Sequence, residues 1–180
     1  MFQFAAILGL LILVAFAIIL VLAATKPDTF RVERSITIDA PRDQVATLIN
    51  DFHHWQIWSP WAHIDPKMKT VYSGPASGVG SVYEWEGNAK VGKGRMEILS
   101  AEPARTSIKL DFLKPFEGHN TAEFILTPQT PATATRVDWV MHGPSRFFPS
   151  KIMSVFIAMD KMIGPDFEKG LANLKGAAER

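Results

Sequence analysis

The spacing of apolar positions changes repeatedly along the chain. From Phe2 to Thr25 no side chain is charged, and Phe4 to Ala24 is Leu, Ile, Val, Ala and Phe with a single glycine, Gly9. About 20 such residues at 1.5 Å each cross a hydrocarbon core of about 30 Å, and a helix satisfies its own backbone there. This predicts a transmembrane helix over residues 4–24. A cleaved signal peptide, with Val21-Leu22-Ala23 as its processing site, is the competing reading. The absence of a basic n-region and the length of the apolar run favour an uncleaved anchor.

From Phe30 the period becomes two. Phe30, Val32, Ile36 and Ile38 alternate with Arg31, Glu33 and Thr37, which predicts a strand with one buried face. Asp39 is placed to cap a first helix from about Pro41 to Asp51, whose apolar side is Val45, Leu48, Ile49 and Phe52. The stretch from His53 to Pro66, with Trp55, Trp58 and Trp61, predicts a short helix or a packed loop. Strands follow at Thr70–Tyr72, Ser81–Glu86, Lys93–Ser100, Thr106–Leu113, Thr121–Thr127 and Thr135–Met141. Turns are marked by Gly74-Pro75 to Gly80, Gly87-Asn88 and Pro128 to Pro131. The spacing then lengthens to three and four through Ile152, Phe156, Met159, Ile163, Phe167, Leu171 and Leu174. That is a long amphipathic helix, which Gly164-Pro165 should kink.

Strand, helix, aromatic linker, antiparallel strands and a long last helix is an α+β order. The division is residues 1–25 as anchor and 26–180 as one domain, a length that suits a single core. Lys26, Arg31, Arg34 and Arg42 follow the span and nothing basic precedes it, so the positive-inside rule puts the domain in the cytoplasm of a single-pass membrane protein. Only Thr25 to Thr29 separate span from strand, which holds the domain against the bilayer.

Charge narrows the partners. Nineteen Lys and Arg against 18 Asp and Glu give no basic face for nucleic acid. With no cysteine, thiolate catalysis, disulfides and cysteine-ligated metals are excluded. Five Trp and twelve Phe point to a large core, a lined pocket, or both.

Several segments resemble the SRPBCC, or START-like, superfamily in its polyketide cyclase/dehydrase-type branch. The carriers are Val32-Glu33-Arg34-Ser35-Ile36-Thr37-Ile38-Asp39-Ala40-Pro41, the run Trp55-Gln56-Ile57-Trp58-Ser59-Pro60-Trp61, the hairpin entry Gly78-Val79-Gly80-Ser81-Val82-Tyr83-Glu84-Trp85, and the closing helix with Met159-Asp160-Lys161-Met162 and Phe167 to Lys175. The resemblance spans nearly all of Thr29 to Glu179. It implies a helix-grip fold, a curved antiparallel sheet around the long C-terminal helix, with a cavity where they meet. It does not specify function, because members bind lipids, sterols, hormones, quinones or polyketides and some are enzymes.

Inward-facing side chains give the cavity candidates: Trp55, Trp58, Trp61, Tyr83, Trp85, Met96, Ile98, Phe112, Phe124, Trp139 and Met141, with Met153, Phe156, Met159 and Ile163 from the last helix. The three linker tryptophans could equally pack the linker onto the sheet, and most of the others would be core. Arg95, Glu84 and Asn88 are candidates to orient a ligand. His53, His54 and His63 with Asp51 and Asp65 lack metal-ligand spacing, so no metal and no cofactor is expected. His63 or Asp65 could do acid–base work in a suitable environment. The glycines from Gly74 to Gly94 form no phosphate loop, and Gly92-Lys93-Gly94 reads as a bend in a strand.

The expected partner is an apolar small molecule or a lipid, held beside the membrane. An enzyme of cyclase or dehydratase type and a closed-core structural or regulatory module are the alternatives. Converging ionisable groups would mark the enzyme, and a filled interior the module.

Overall fold

The structure, a computed structural model, describes residues 2–130, 133–145, 151–152 and 159–180. The elements in order are α1 (Phe2–Ala24), β1 (Thr29–Ile38), α2 (Arg42–Asn50), α3 (Trp55–Trp58), β2 (Lys69–Ser73), β3 (Val82–Glu86), β4 (Lys93–Glu102), β5 (Arg105–Lys114), β6 (Gly118–Pro128), β7 (Thr135–Pro144) and α4 (Met159–Ala178). The strands form one antiparallel sheet in the order β1-β7-β6-β5-β4-β3-β2.

Alternation decides which face is buried. Val32 pairs with Met141, Ile36 with Val137, Phe124 with Trp139, Ile108 with Ala122, and Tyr83 with Met96. These side chains line the inner face, on which α2, α3 and α4 pack. The outer face is polar and laced with ion pairs, among them Lys109–Asp111 at 2.9 Å and Arg136–Asp138 at 2.8 Å.

Helix α4 buries Phe167, Leu171, Leu174 and Ala178, at the spacing read from the sequence, and it packs chiefly on β1. The helix stays continuous through Pro165. Gly164 has a packing role: a Cβ there would collide with the guanidinium of Arg34, which reaches under the helix to bond Asp160 (2.7 Å) and Glu168 (2.6 Å). Both carboxylates hold the Arg34 proton more firmly than usual.

The cap of α2 differs from expectation. Pro41 occupies the N-cap position without a side-chain cap bond, and its carbonyl accepts from Gln44 and Val45. Asp39 lies outside the helix; its backbone N–H donates to Glu179 Oε1 (2.6 Å), fastening the end of β1 to the end of α4.

Within α1, Ile7–Ala24 is long and apolar enough to cross a membrane, and 6% of it is buried inside the molecule. Few of its apolar side chains therefore have a protein partner.

Candidate functional site

The tryptophan linker is fixed by the end of α2. A helix leaves its last four carbonyls without intrahelical partners. Here the ring Nδ1 of His54 lies 3.2 Å from the Thr47 carbonyl, the Trp58 indole N–H donates to Leu48 (3.0 Å), the Trp55 indole N–H donates to Ile49 (2.9 Å), and the Gly78 N–H donates to Asn50 (2.8 Å). The linker thus closes α2 while pushing its rings inward. Sequence periodicity does not reveal this, because the linker's three bonds join side chains to backbone carbonyls six to ten residues earlier, and the Gly78 N–H comes from 28 residues later.

Those rings fill one part of the interior. Trp58 stands edge-on to Phe124 and Trp139 at 5.9 and 5.6 Å, and Trp55 edge-on to Phe124 at 5.9 Å. The Trp139 ring is sandwiched between Phe124 (5.0 Å) and Phe167 (4.1 Å, interplanar angle 9°). Trp61 meets both Trp139 and Phe167 edge-on. Gly170 makes this possible, since a Cβ there would come within 2.7 Å of the Trp139 ring. Among the described residues, the Trp139 indole N–H is a buried donor with no hydrogen-bond partner. An unpaired buried donor costs about 1–3 kcal/mol.

The other part, over β3 to β5, is less closed. Tyr83 and Met96 are buried, whereas Trp85 and Phe112 are only partly so, as are Met159 and Ile163 on α4, which packs chiefly on β1. The Trp85 ring lies across β4, stacks on Tyr83 at 5.9 Å, meets Phe112 edge-on at 6.0 Å, and donates its indole N–H to Val91 (2.9 Å). Its seat is Gly94, where a Cβ would collide with the ring and approach the Asp111 carbonyl to 2.6 Å. The register also shifts between Lys93 and Gly94. Burial pushes the Tyr83 hydroxyl up to about 12, helped by neighbouring Tyr72, so it stays protonated.

The candidates therefore divide. Trp55, Trp58, Phe124, Trp139 and Met141 are packed into the core, with Trp61 at its margin. Tyr83, Trp85, Met96 and Phe112 share the less closed part of the inner face, and Met159 is partly buried on α4. Met153 and Phe156 lie outside the described residues. None of the three polar candidates faces inward. Glu84 and Arg95 are cross-strand partners on the outer face, where Arg95 bonds Glu97 (2.7 Å). Asn88 caps a turn, its Oδ1 accepting from the Lys90 N–H (2.9 Å).

The His and Asp cluster does not converge, and among the described residues no three His, Asp or Glu could hold a metal. Asp65 is occupied by backbone, accepting from the Lys67 N–H (2.9 Å) and the Asn88 N–H (2.7 Å), and His63 is exposed. Asp51 lies 2.8 Å from both the backbone N and the ring Nδ1 of His53. Partial burial opposes ionisation of Asp51, but these hydrogen bonds outweigh it and lower its pKa. His53 stacks on Tyr72 at 4.2 Å and, with Phe52 and the 73–76 turn, lines a surface pocket of about 250 Å³. A second, of about 330 Å³, lies between α2 and Ser77-Gly78. Both sit at the end of the sheet away from Thr29, and neither lies between sheet and α4.

Solved structures share this architecture. Norcoclaurine synthase from Thalictrum flavum, in complex with dopamine and hydroxybenzaldehyde, superposes with a TM-score of 0.61 at 10% identity, covering 87% of this chain and 90% of that one. The Zhui aromatase/cyclase from a Streptomyces species gives 0.57 at 16% identity, covering 84% and 94%. A Chromobacterium violaceum protein gives 0.58 at 17% identity, covering 86% and 99%. At these identities the likeness shows the helix-grip fold. No curated protein matches the sequence. The sequence model of one family, described as polyketide cyclase / dehydrase and lipid transport, matches residues 29–179, and the chain belongs to that family.

Proposed function

We propose that this is a membrane-anchored protein that binds an apolar small molecule or lipid between the inner face of the sheet and the C-terminal helix. The observation that carries the reading is the unequal closure of that face. Aromatic stacking fills it toward β6 and β7, while Trp85 and Phe112 stay partly exposed over β3 to β5. Such a wall binds by area at about 25 cal/mol per Å² of apolar surface removed from water. Lipid transport in the family description and the two small aromatic molecules bound by norcoclaurine synthase favour the same kind of ligand. Anchoring rests on α1, whose apolar surface is left without protein partners.

The test is native mass spectrometry of the full chain, purified in detergent from membranes of its own host, followed by organic extraction. A near-stoichiometric apolar molecule is the expected result. A clean apo mass, with no thermal shift across a lipid and quinone panel, overturns the reading and leaves a closed-core module. Carbonate extraction tests the anchor separately: the chain should stay with the membrane pellet. An enzyme acting on such a ligand is the second reading, favoured by the Asp51–His53 pair beside the smaller pocket. Turnover of the extracted ligand that His53→Gln abolishes would decide for it.

A further inference from the structure

The strand register places one group of side chains at the end of the sheet where the chain leaves α1. Thr29 pairs with Pro144, His142 with Thr121, Gly118 with Phe112, Lys114 with Lys93, and Lys93 with Glu86. The starts of β1, β4 and β6 therefore lie at the same end as the close of β5. The turn from β5 to β6 carries Phe116, 78% exposed, next to Leu113, 45% exposed. At this end Lys114, Lys90 and Lys69 are exposed and, among the described residues, form no salt bridge, while Glu86, bonded to Lys93 (2.9 Å), also feels the charges of Lys114 and Lys69. Glu117, the acidic side chain of this turn, lies 3.4 Å from His119. At the far end, by contrast, exposed Val79 sits in the 73–81 turn, which contains no charged residue.

A projecting phenyl ring on an end of the sheet that also carries three exposed lysines without salt bridges matches the headgroup boundary of an anionic bilayer. Phenylalanine is driven out of water, and each lysine near such a surface contributes about 1 kcal/mol. Geometry supplies the bilayer. If α1 spans the membrane, the four residues 25–28 between α1 and β1 hold Thr29 within roughly 15 Å of its surface. The Phe116 turn lies two to three strands from β1, about 12 Å to the side at about 4.8 Å per strand.

We propose that this end of the domain docks on the bilayer that α1 spans, with Phe116 inserted at the headgroup boundary and Lys114, Lys90 and Lys69 against lipid phosphates. The proposal rests on the anchor reading and deepens it, because Trp85 and Phe112 lie toward this same end. The partly open wall then faces lipid, so a ligand enters from the membrane without crossing water.

The chain has no cysteine, so single nitroxide labels can be placed on the full protein in vesicles of phosphatidylcholine and phosphatidylglycerol. Labels go at Leu10→Cys in α1, Phe116→Cys, and Glu102→Cys at the far end. Accessibility to a water-soluble nickel complex should be several-fold lower at 116 than at 102, and that protection should fall in vesicles of phosphatidylcholine alone or with Lys90 and Lys114 changed to Gln. A label at 116 as water-exposed as that at 102, with the label at 10 buried, overturns docking and leaves the anchor standing. Water exposure at 10 as well overturns the anchor, and docking with it.

Discussion

Gly94→Ala adds one carbon and should unseat Trp85. The new Cβ would overlap the indole ring and stand 2.6 Å from the Asp111 carbonyl, where ordinary contact begins near 3.4 Å. The ring can yield, whereas that carbonyl belongs to the ladder between β4 and β5, so its contact with the Cβ adds backbone strain to what the ring loses. If the ring swings away, the bond to Val91 is lost, about 1 kcal/mol, together with contacts to Tyr83 and Phe112 of about 0.5–1.5 kcal/mol each. Alanine recovers about 0.5–1 kcal/mol of backbone entropy relative to glycine. The balance is a loss of about 2 kcal/mol, or roughly 4–8 °C for a domain of this size. Gly176→Ala is the control, since a Cβ there meets nothing within 4 Å on α4, and it should stabilise by up to about 1 kcal/mol. Both are read by denaturant unfolding of the full chain in detergent, followed by tryptophan emission. A Gly94→Ala protein as stable as wild type would refute the seating argument.

Trp58→Phe keeps an aromatic ring but leaves the Leu48 carbonyl without its donor, and denaturant unfolding should show a loss of about 1–3 kcal/mol. Trp139→Phe removes a buried indole donor that has no partner, which relieves about 1–3 kcal/mol and offsets part of the lost ring contact, so denaturant unfolding should show a smaller loss than for Trp58→Phe. Gly164→Ala should stabilise by up to about 1 kcal/mol when Arg34 is already alanine and should lose that gain when Arg34 is present, because the Cβ displaces the guanidinium. His119 is raised above its ordinary 6.5, first by its hydrogen bond to Asp111. Burial opposes ionisation of Asp111, but bonds from His119 and Lys109 outweigh it and lower its pKa below 3.8. The His119 contribution is complete below pH 6.5 and is lost as pH rises through the elevated folded value; that of Asp111 is present above pH 3.8 and is lost as pH falls through its lowered one. NMR titration of Asp111→Asn should return His119 toward its ordinary value, and an unchanged titration would contradict the pairing.

Strand alternation carried most of the fold. The order Phe30, Val32, Ile36, Ile38 placed the inner face of β1, and Tyr83 with Trp85 placed that of β3, because side-chain direction has a period of two whatever the partner strand. The same rule already set Glu84 opposite Trp85, yet it could not put Arg95 outward until the pairing of β3 with β4 was known. Glycines were legible only as punctuation. Gly94, Gly164 and Gly170 each seat a side chain from another element, at separations of 9 residues for Trp85, 130 for Arg34 and 31 for Trp139, and spacing holds no signal for such meetings. The capping tryptophans escaped for a related reason, since an indole N–H finds an orphan carbonyl only after the chain has turned back. The start of α2 was read to within a residue, but its cap was misassigned, because Asp39 has the chemistry of a cap while Pro41 fixes the geometry and frees Asp39 to meet Glu179.

The division of the inner face gives binding and closed-core readings opposite signatures. Trp55, Trp58 and Trp139 are held by one another, by Phe124 and Phe167, and by carbonyls of α2, so their truncation removes packing on every side. Trp85 and Phe112 have solvent on part of their surface, so truncating either removes fewer contacts. If the wall over β3 to β5 exists for a ligand, Phe112→Ala should cost less stability than Phe124→Ala while lowering affinity for the extracted molecule more. If it is only an incompletely packed core, the two substitutions should rank by burial alone and neither should act through ligand. Deletion of a fully buried phenylalanine typically costs about 3–5 kcal/mol, which sets the scale against which the smaller effect at Phe112 is read. The comparison works because both residues lie on the inner face of adjacent strands, β5 and β6, and differ chiefly in whether aromatic neighbours or open space lies above them.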